Sequence, residues 1–486
     1  MRIYAITVCL LGVLSVQAQV IKPKELVTVK RNAVSRLDKQ YDRYKQPALA
    51  IWGYSEVGYK EIKSSAELKS LLKQSGFTIE EGVAGIPTAF VATYGTESPV
   101  VGILAEYDAL PGLSQQAVPE KSPDPSRQAG HACGHHLFGV ASVAAAIELM
   151  ETMKQTGLKG TIKVFGTPAE EGGAGKVYMV REGLFNDVDV VMHWHPSSRN
   201  AANPSSSLAN VSAKFRFRGI SAHAAGAPDK GRSALDAVEA MNYMVNMMRE
   251  HIPSDTRIHY IITSGGEAPN VVPDYAEVYY YARHPKRDVL ADVFERIEKI
   301  AEAAALGTET KMEKEIIGGV YDLLPNEVLA RLMHQNLTAV GGVTYTSEEL
   351  EFARKIQQTL LGGTQPAINT AALIEPFKVD ASGSGGSTDV GDVSYVVPTV
   401  GLGTATWVPG TPAHSWQAVA CGGTDIGIKG MMVAAKTLAL TGIDLLNDPA
   451  QIQKAKDEFQ GRRGPDFKYT ALIGDRKPAL DYRDKK

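Results

Sequence analysis

Cys133 and His135 stand two apart in Gly130-His-Ala-Cys-Gly-His135. Glu170 and Glu171 are adjacent in Pro168-Ala-Glu-Glu-Gly172, and His193 and His195 flank a tryptophan in His193-Trp-His195-Pro196. Cysteine, histidine and glutamate together suit a hydrolytic metal centre, which needs ligands and one further group to act as general base. Cys133 and His135 on a tight turn can point to one centre, and a helix start lowers a thiol's pKa toward the thiolate a metal binds. Of the adjacent glutamates, one can bind metal while the other takes a proton from water held there. Residues two apart on a strand share a face, so spacing does not choose between His193 and His195. His136 reads as a helix-start or supporting residue rather than a ligand. The competing chemistry is a nucleophilic Cys133 served by His135, which leaves the glutamate pair and the later histidines without a task.

These residues need elements to hold them. Val100 to Ala105 is an apolar run ending at Glu106-Tyr-Asp108; Thr161 to Phe165 leads to the glutamate pair; Val188 to Met192 leads to His193. A long apolar helix, Leu137 to Thr156, follows directly on the Cys133–His135 turn. Apolar strands separated by helices argue a parallel sheet covered on both faces, with ligands gathering beyond the carboxyl ends of the strands. The middle of the chain changes character. Val211 to Phe217 alternates, a helix covers about Arg232 to Arg249, and strands lie near Arg257 to Thr263 and Tyr275 to Ala282. A second helix from Arg287 to Ala304 and a strand from Lys311 to Ile317 complete a ferredoxin-like order. The expected division is therefore 19–209 and 323–486 for the two parts of one catalytic domain, with an inserted domain at 210–322. The main domain resumes with a strand near Val396 to Leu402 and a loop bearing His414. The charged tail after Gln460 has no periodicity and reads as a surface extension.

The start of the chain carries an address. Met1-Arg2 is basic, Ile3 to Val16 is almost wholly apolar, and Val16-Gln-Ala18 resembles a signal cleavage site, so residues 1–18 read as a signal peptide of an exported protein, periplasmic or secreted. The stretch is too short for a membrane span, and no later run approaches eighteen apolar residues. Cys9 lies inside the apolar region rather than at a lipid-anchoring position. Only Cys133 and Cys421 remain after cleavage, too few for a disulfide scaffold, although one bridge between them is open. The composition, 44% hydrophobic and 22% charged with a formal net charge of −3 over 486 residues, is that of a globular protein of more than one domain. Nothing basic enough for nucleic acid or an anionic membrane is present.

The segments Gly130-His-Ala-Cys-Gly-His135, Thr167-Pro-Ala-Glu-Glu171, Asp189-Val-Val-Met-His-Trp-His195-Pro and Gly410-Thr-Pro-Ala-His414 resemble the aminoacylase/carboxypeptidase metallopeptidase family, in its amidohydrolase branch. In the inserted domain, Gly219-Ile-Ser-Ala-His223-Ala-Ala and Ala268-Pro-Asn270-Val-Val-Pro with Arg283 resemble the p-aminobenzoyl-glutamate hydrolases of that branch, and similar segments occur in related dipeptidases. The likeness runs from about Arg36 to Gly442, with six segments in the family's order.

The resemblance implies an α/β catalytic domain with a mixed sheet covered by helices, an inserted ferredoxin-like α+β lid that also dimerises, and two divalent metal ions, zinc or manganese. Carried over, Cys133 bridges the ions and His135, Glu171, His195 and His414 complete the ligands. His195 is preferred to His193 because the family's ligand lies six residues after the Asp matched by Asp189. Glu170 becomes general base and proton shuttle, and Asp108 orients a ligand. His223 corresponds to a lid histidine that reaches a neighbouring subunit's site in a homodimer and stabilises the oxyanion. Asn270 and Arg283 correspond to lid positions that grip a substrate carboxylate or carbonyl. Asp389 and Asp392 match a family segment without a role that the residues themselves suggest. One departure is His136, where the branch often has an acidic or amide residue; it puts metal preference in question. The implied reaction is hydrolysis of the amide bond of a small N-acyl or N-aroyl amino acid, an acyl-glutamate foremost, or of a dipeptide. A thiol hydrolase, or an exported binding protein for acylated amino acids, is the alternative.

Overall fold

The computed structural model describes residues 20–379 and 385–484. The expected signal peptide and Cys9 lie outside the described residues, as does part of the Ser382–Ser387 loop. Among the described residues ten strands of four or more residues carry the architecture: β1 Thr78–Glu81, β2 Phe90–Gly95, β3 Val100–Ala105, β4 Thr161–Gly166, β5 Val190–Ser197, β6 Ala209–Arg218, β7 Arg257–Ser264, β8 Tyr275–His284, β9 Lys311–Val320 and β10 Thr399–Ala405.

One sheet runs in the order β1-β2-β4-β3-β5-β10. The strands read from apolar runs are parallel: Val101 pairs with Ile162 and Val190, and Gly403 pairs with His195. The sheet as a whole is mixed, because β2 runs antiparallel to β4 and β1 antiparallel to β2. Residues 82–89 between β1 and β2 are too few for a crossover helix, so an antiparallel return is the available connection.

Helix His135–Thr156 is buried along nearly its whole length, and so is helix Asp425–Asn447 packed against it. A Cβ on Gly442 would come within 2.5 Å of Leu149, so the glycine permits that close approach. Both helices are long and apolar enough to cross a membrane, contrary to the expectation that no such run follows the leader. Their windows are 94% and 89% buried inside the protein, which accounts for their apolarity as core helices.

The inserted unit forms a four-stranded antiparallel sheet in the order β9-β6-β8-β7, with helices Ala234–Met248 and Arg287–Gly307 packed on it. Phe215, Phe217, Tyr280, Met241 and Phe294 build a separate core there.

The tail departs from expectation. After helix Pro449–Arg463 the chain turns back along the joint between the two units. Tyr469 Oη donates to Asp392 Oδ1 at 2.7 Å, Ile473 is buried in the main core, and Arg476 donates to the carbonyls of Ile316 and Ile317 at the end of the lid sheet. Its anchors are irregularly spaced aromatic and aliphatic residues, which leave no periodic signature. Cys133 and Cys421 are both buried and free, so the bridge left open by the sequence is not formed.

Candidate active site

Four parallel strands position most of the site residues at or near their carboxyl ends, and the turn into helix His135–Thr156 supplies Cys133 and His135. β3 leads into Glu106 and Asp108, β4 into Glu170 and Glu171, and β10 into the loop that carries His414. β5 differs from the sequence reading: it extends to Ser197, so His193 and His195 lie within the strand rather than beyond it. They alternate with buried Trp194 on one face, as their spacing required. His195, two residues nearer the carboxyl end, reaches Cys133; His193 packs over Gly401 of β10 instead.

Helix His135–Thr156 starts at His135, two residues earlier than the apolar pattern suggested. Gly134, at the N-cap, has φ 76°, and a Cβ there would lie 2.7 Å from Pro196 Cβ. Only glycine fits a left-handed position pressed against the residue after His195. Ala169 (φ 58°), Ala174 (φ 56°) and His414 (φ 58°) also adopt left-handed backbone around the site. Such conformations persist where the surroundings over-determine them, and they cluster at functional sites. Glu61 pins Ala169 by accepting its N–H at 2.8 Å.

Ligand-capable atoms of Cys133, His135 and His195 lie within 4.8 Å of one another, and so do those of Cys133, Glu171 and His414. The two triads share Cys133. A third group, Glu106, His135 and Glu170, adjoins them. Ring tautomers are set by their outer partners: His135 Nδ1 faces Asp108 Oδ1 at 2.8 Å, and His195 Nδ1 faces the Pro196 carbonyl at 2.7 Å. Each Nδ1–H donates outward, leaving Nε2 lone pairs aimed into the cluster. Asp108 Oδ2 also accepts the Glu171 N–H at 2.9 Å, so one carboxylate orients both neighbours.

The electrostatics of this cluster call for cations. Burial opposes a charge on His135, yet Cys133, Glu106 and Asp108 pull its pKa well above the usual value. Burial, with Glu106, Glu171 and Asp389 nearby, raises that of Glu170 well above the carboxylate range. The Cys133 thiol is pushed up by burial, against the expectation of a lowered value at a helix start, because desolvation outweighs the helix terminus. Such a thiol becomes a thiolate readily only beside a metal cation. Buried His135 Nε2, Glu106 Oε2 and Glu171 Oε1 have no hydrogen-bond partner, although His135 Nε2 is 3.1 Å from Glu106 Oε2 and Glu171 Oε1 is 3.1 Å from His414 Nε2. Soft sulfur, imidazoles and a carboxylate with atoms left unpaired form a donor set that fits divalent ions.

Beneath the cluster, fully buried Lys176 contacts Glu106 Oε1 and Asp389 Oδ1, each at 2.7 Å. Burial opposes its charge, but Asp389 and Glu106 hold its pKa above the ordinary lysine value. Sequence reasoning missed Glu106 and Lys176; a single lysine after a glycine-rich turn carries no pattern. Asp389 and Asp392, which had matched a segment without a role, receive structural ones here: Asp389 holds Lys176, and Asp392 accepts Tyr321 N–H and Tyr469 Oη. His136 points away from the cluster, with Nε2 3.0 Å from the Gly422 carbonyl.

A cleft of about 450 Å³ opens above the cluster, lined by Glu170, Glu171 and His414 on one side and by Asn210, Tyr279, Tyr281 and Arg283 of the lid on the other. His223 and Asn270 do not line it. They sit together on the exposed face of the lid, where His223 bridges to Val271.

Over 449 residues the chain is 41% identical to one of the subunits of p-aminobenzoyl-glutamate hydrolase from Escherichia coli (strain K12), a match covering 87% of this chain and 93% of that protein. The chain belongs to the aminoacylase/carboxypeptidase metallopeptidase family, in its amidohydrolase branch. It is 31% identical over 451 residues to the Xaa-Arg dipeptidase of Mus musculus, covering 90% of this chain and 93% of the relative. Residues 209–309 match the peptidase dimerisation domain. The aminobenzoyl-glutamate utilization protein from Klebsiella pneumoniae superposes with a TM-score of 0.60 at 18% identity, over 84% of this chain and 97% of that one. A Bacillus subtilis peptidase described as dinuclear and metal-binding gives 0.57 at 17% identity, over 84% and 99%. These structures share the fold. The family member described here is accordingly a metallo-amidohydrolase.

Proposed function

We propose that this amidohydrolase cleaves the amide bond of small N-acyl or N-aroyl amino acids, acyl-glutamates foremost, on a pair of divalent ions. The observation that carries the reading is the sharing of Cys133 between two ligand triads, one with His135 and His195 and the other with Glu171 and His414. Those five residues would hold the ions, zinc or manganese, and Asp108 would orient His135. When bound, the pair would polarise the scissile carbonyl and lower the pKa of water. Glu170, the carboxylate outside both triads, accepts the proton of the attacking water and passes it to the leaving amine. Its raised affinity for a proton suits a group that must take one up and give it back. Arg283 offers a guanidinium fork to a substrate carboxylate in the cleft.

His223 and Asn270 lie outside the cleft of their own chain, which favours a homodimer in which His223 of the partner subunit stabilises the oxyanion. Edge strand β7 of the lid, with exposed Ile261 and Ile262, is a surface for that pairing. The leader argues an exported, periplasmic or secreted enzyme, and N-terminal sequencing of the protein recovered outside the cytoplasm should begin near Gln19.

A screen of N-acyl amino acids and dipeptides with manganese, zinc and cobalt added separately tests the reading. Acyl-glutamate turnover that a chelator abolishes and one of these ions restores supports it. Turnover that survives chelation would point to Cys133 as nucleophile, a role that its burial and raised thiol pKa argue against. Substrate recovered intact from metal-replete protein would point to a binding protein.

A further inference from the structure

Two residues of the tail segment reach the cleft. Tyr482 and Arg483 line it beside Glu170, Glu171, Arg283 and His414. Tyr482 Oη donates to the Glu171 carbonyl at 3.1 Å, and Arg483 Nη2 donates to the same oxygen. The Arg483 guanidinium lies over the Tyr482 ring, 4.7 Å from its centroid, and that ring meets Tyr59 edge-on at 5.5 Å. Tyr482 and Arg483 are thus anchored on the loop that carries the glutamate pair.

The anchor does not use up the guanidinium. Arg483 Nε is buried without a hydrogen-bond partner. The acids of the cleft are engaged by other cations or by the ligand cluster: Glu171 with His414, and Asp389 with Lys176. Among the described residues no carboxylate pairs with Arg483 or with Arg283. Two guanidinium groups without counter-ions therefore face one cavity of about 450 Å³, one from the lid and one from the tail. A desolvated N–H without an acceptor is costly, and a guanidinium that still holds free N–H groups suits a carboxylate.

We propose that Arg483 is a specificity-determining residue that binds the second carboxylate of an acidic leaving amino acid, while Arg283 takes the first. This inference rests on the reading of the enzyme as an acyl-amino-acid hydrolase. It assigns the choice of an acidic side chain over a neutral or basic one to the C-terminal segment rather than to the catalytic core. Arg483 keeps Nη2 on Glu171 and meets the substrate with the rest of its guanidinium, so recognition of the side chain is tied to the loop bearing the general base.

The test compares N-benzoyl-glutamate with N-benzoyl-glutamine, near-isosteres that differ by one charge, in metal-replete wild type and in R483M, R483K and Y482F. Free glutamate and glutamine binding is measured by calorimetry on the same proteins. Wild type should prefer the acidic member in kcat/KM and in binding by about tenfold or more, the worth of a charge-assisted hydrogen bond. R483M should erase the preference, R483K should keep part of it, and Y482F should retain it. An equal fall of both substrates in R483M would overturn the proposal and leave Arg483 as a brace for Glu171. Absence of any wild-type preference for glutamate in both measurements would also overturn it. Tight, Arg483-dependent glutamate binding without turnover would uphold the carboxylate site and refute the hydrolase reading instead.

Discussion

Lys176→Met removes a cation buried beneath the site. Its ammonium lies 2.7 Å from Glu106 Oε1 and 2.7 Å from Asp389 Oδ1, and all three side chains are essentially inaccessible to water. At an effective dielectric constant of about 20, each contact corresponds to roughly 6 kcal/mol of Coulomb attraction before desolvation is charged against it. Breaking a buried ion pair by deleting one partner typically costs about 3–5 kcal/mol, because the remaining charge is stranded. Here two carboxylates are stranded, so the upper part of that range is expected. Asp389 still accepts the residue-176 backbone N–H at 2.9 Å, which keeps the helix start in place and limits the damage to the ion triad. Urea unfolding followed by tryptophan fluorescence measures the loss, with an unchanged slope showing that the unfolded ensemble is not what moved. Adding Asp389→Asn to Lys176→Met should recover part of the loss, since one stranded charge is then gone. A loss below about 1 kcal/mol, or strict additivity of the two substitutions, would refute the view of Lys176 as the counter-ion of this site.

Gly134→Ala should weaken metal affinity at least about tenfold, because its Cβ displaces Pro196 and with it His195; a metal titration reads this. His136→Ala should leave metal preference unchanged while costing about 1–3 kcal/mol of stability, since the imidazole serves the Gly422 carbonyl and not the cluster. Glu277 in the lid is partly desolvated, but Thr263, Arg216 and Lys214 outweigh this and hold its pKa near about 2. A depressed carboxylate contributes stability above its ordinary unfolded value that is lost as pH falls toward about 2. Glu277→Gln should therefore flatten the acid limb of a thermal-melt profile in that window and leave the neutral region parallel to wild type.

Much of this molecule was legible in residue order because its elements are locally consistent. Val100–Ala105 and Thr161–Gly166 are apolar enough to be buried strands, and the alternation of Val211 to Phe217 marks a half-covered one. The cluster was legible because Cys133, His135, Glu170 and Glu171 occupy strand and helix ends, where side chains converge. What local pattern missed depends on contacts between distant segments. His195 and His193 share a face, and only the pleat of β5 against Gly401 shows which one reaches Cys133. Lys176 meets Asp389 across 213 residues, and Arg483 meets Glu171 across 312. The raised Cys133 thiol is likewise a consequence of burial that no motif encodes.

The central claim is that Glu170 moves the proton while the Cys133-sharing triads hold the ions. Metal content and turnover measured on one preparation of Glu170→Gln test it directly. Two divalent ions per chain, as in wild type, with acyl-glutamate turnover reduced about 10²–10⁴-fold, is the predicted result. Turnover near the wild-type rate, or loss of the ions along with the activity, would contradict it.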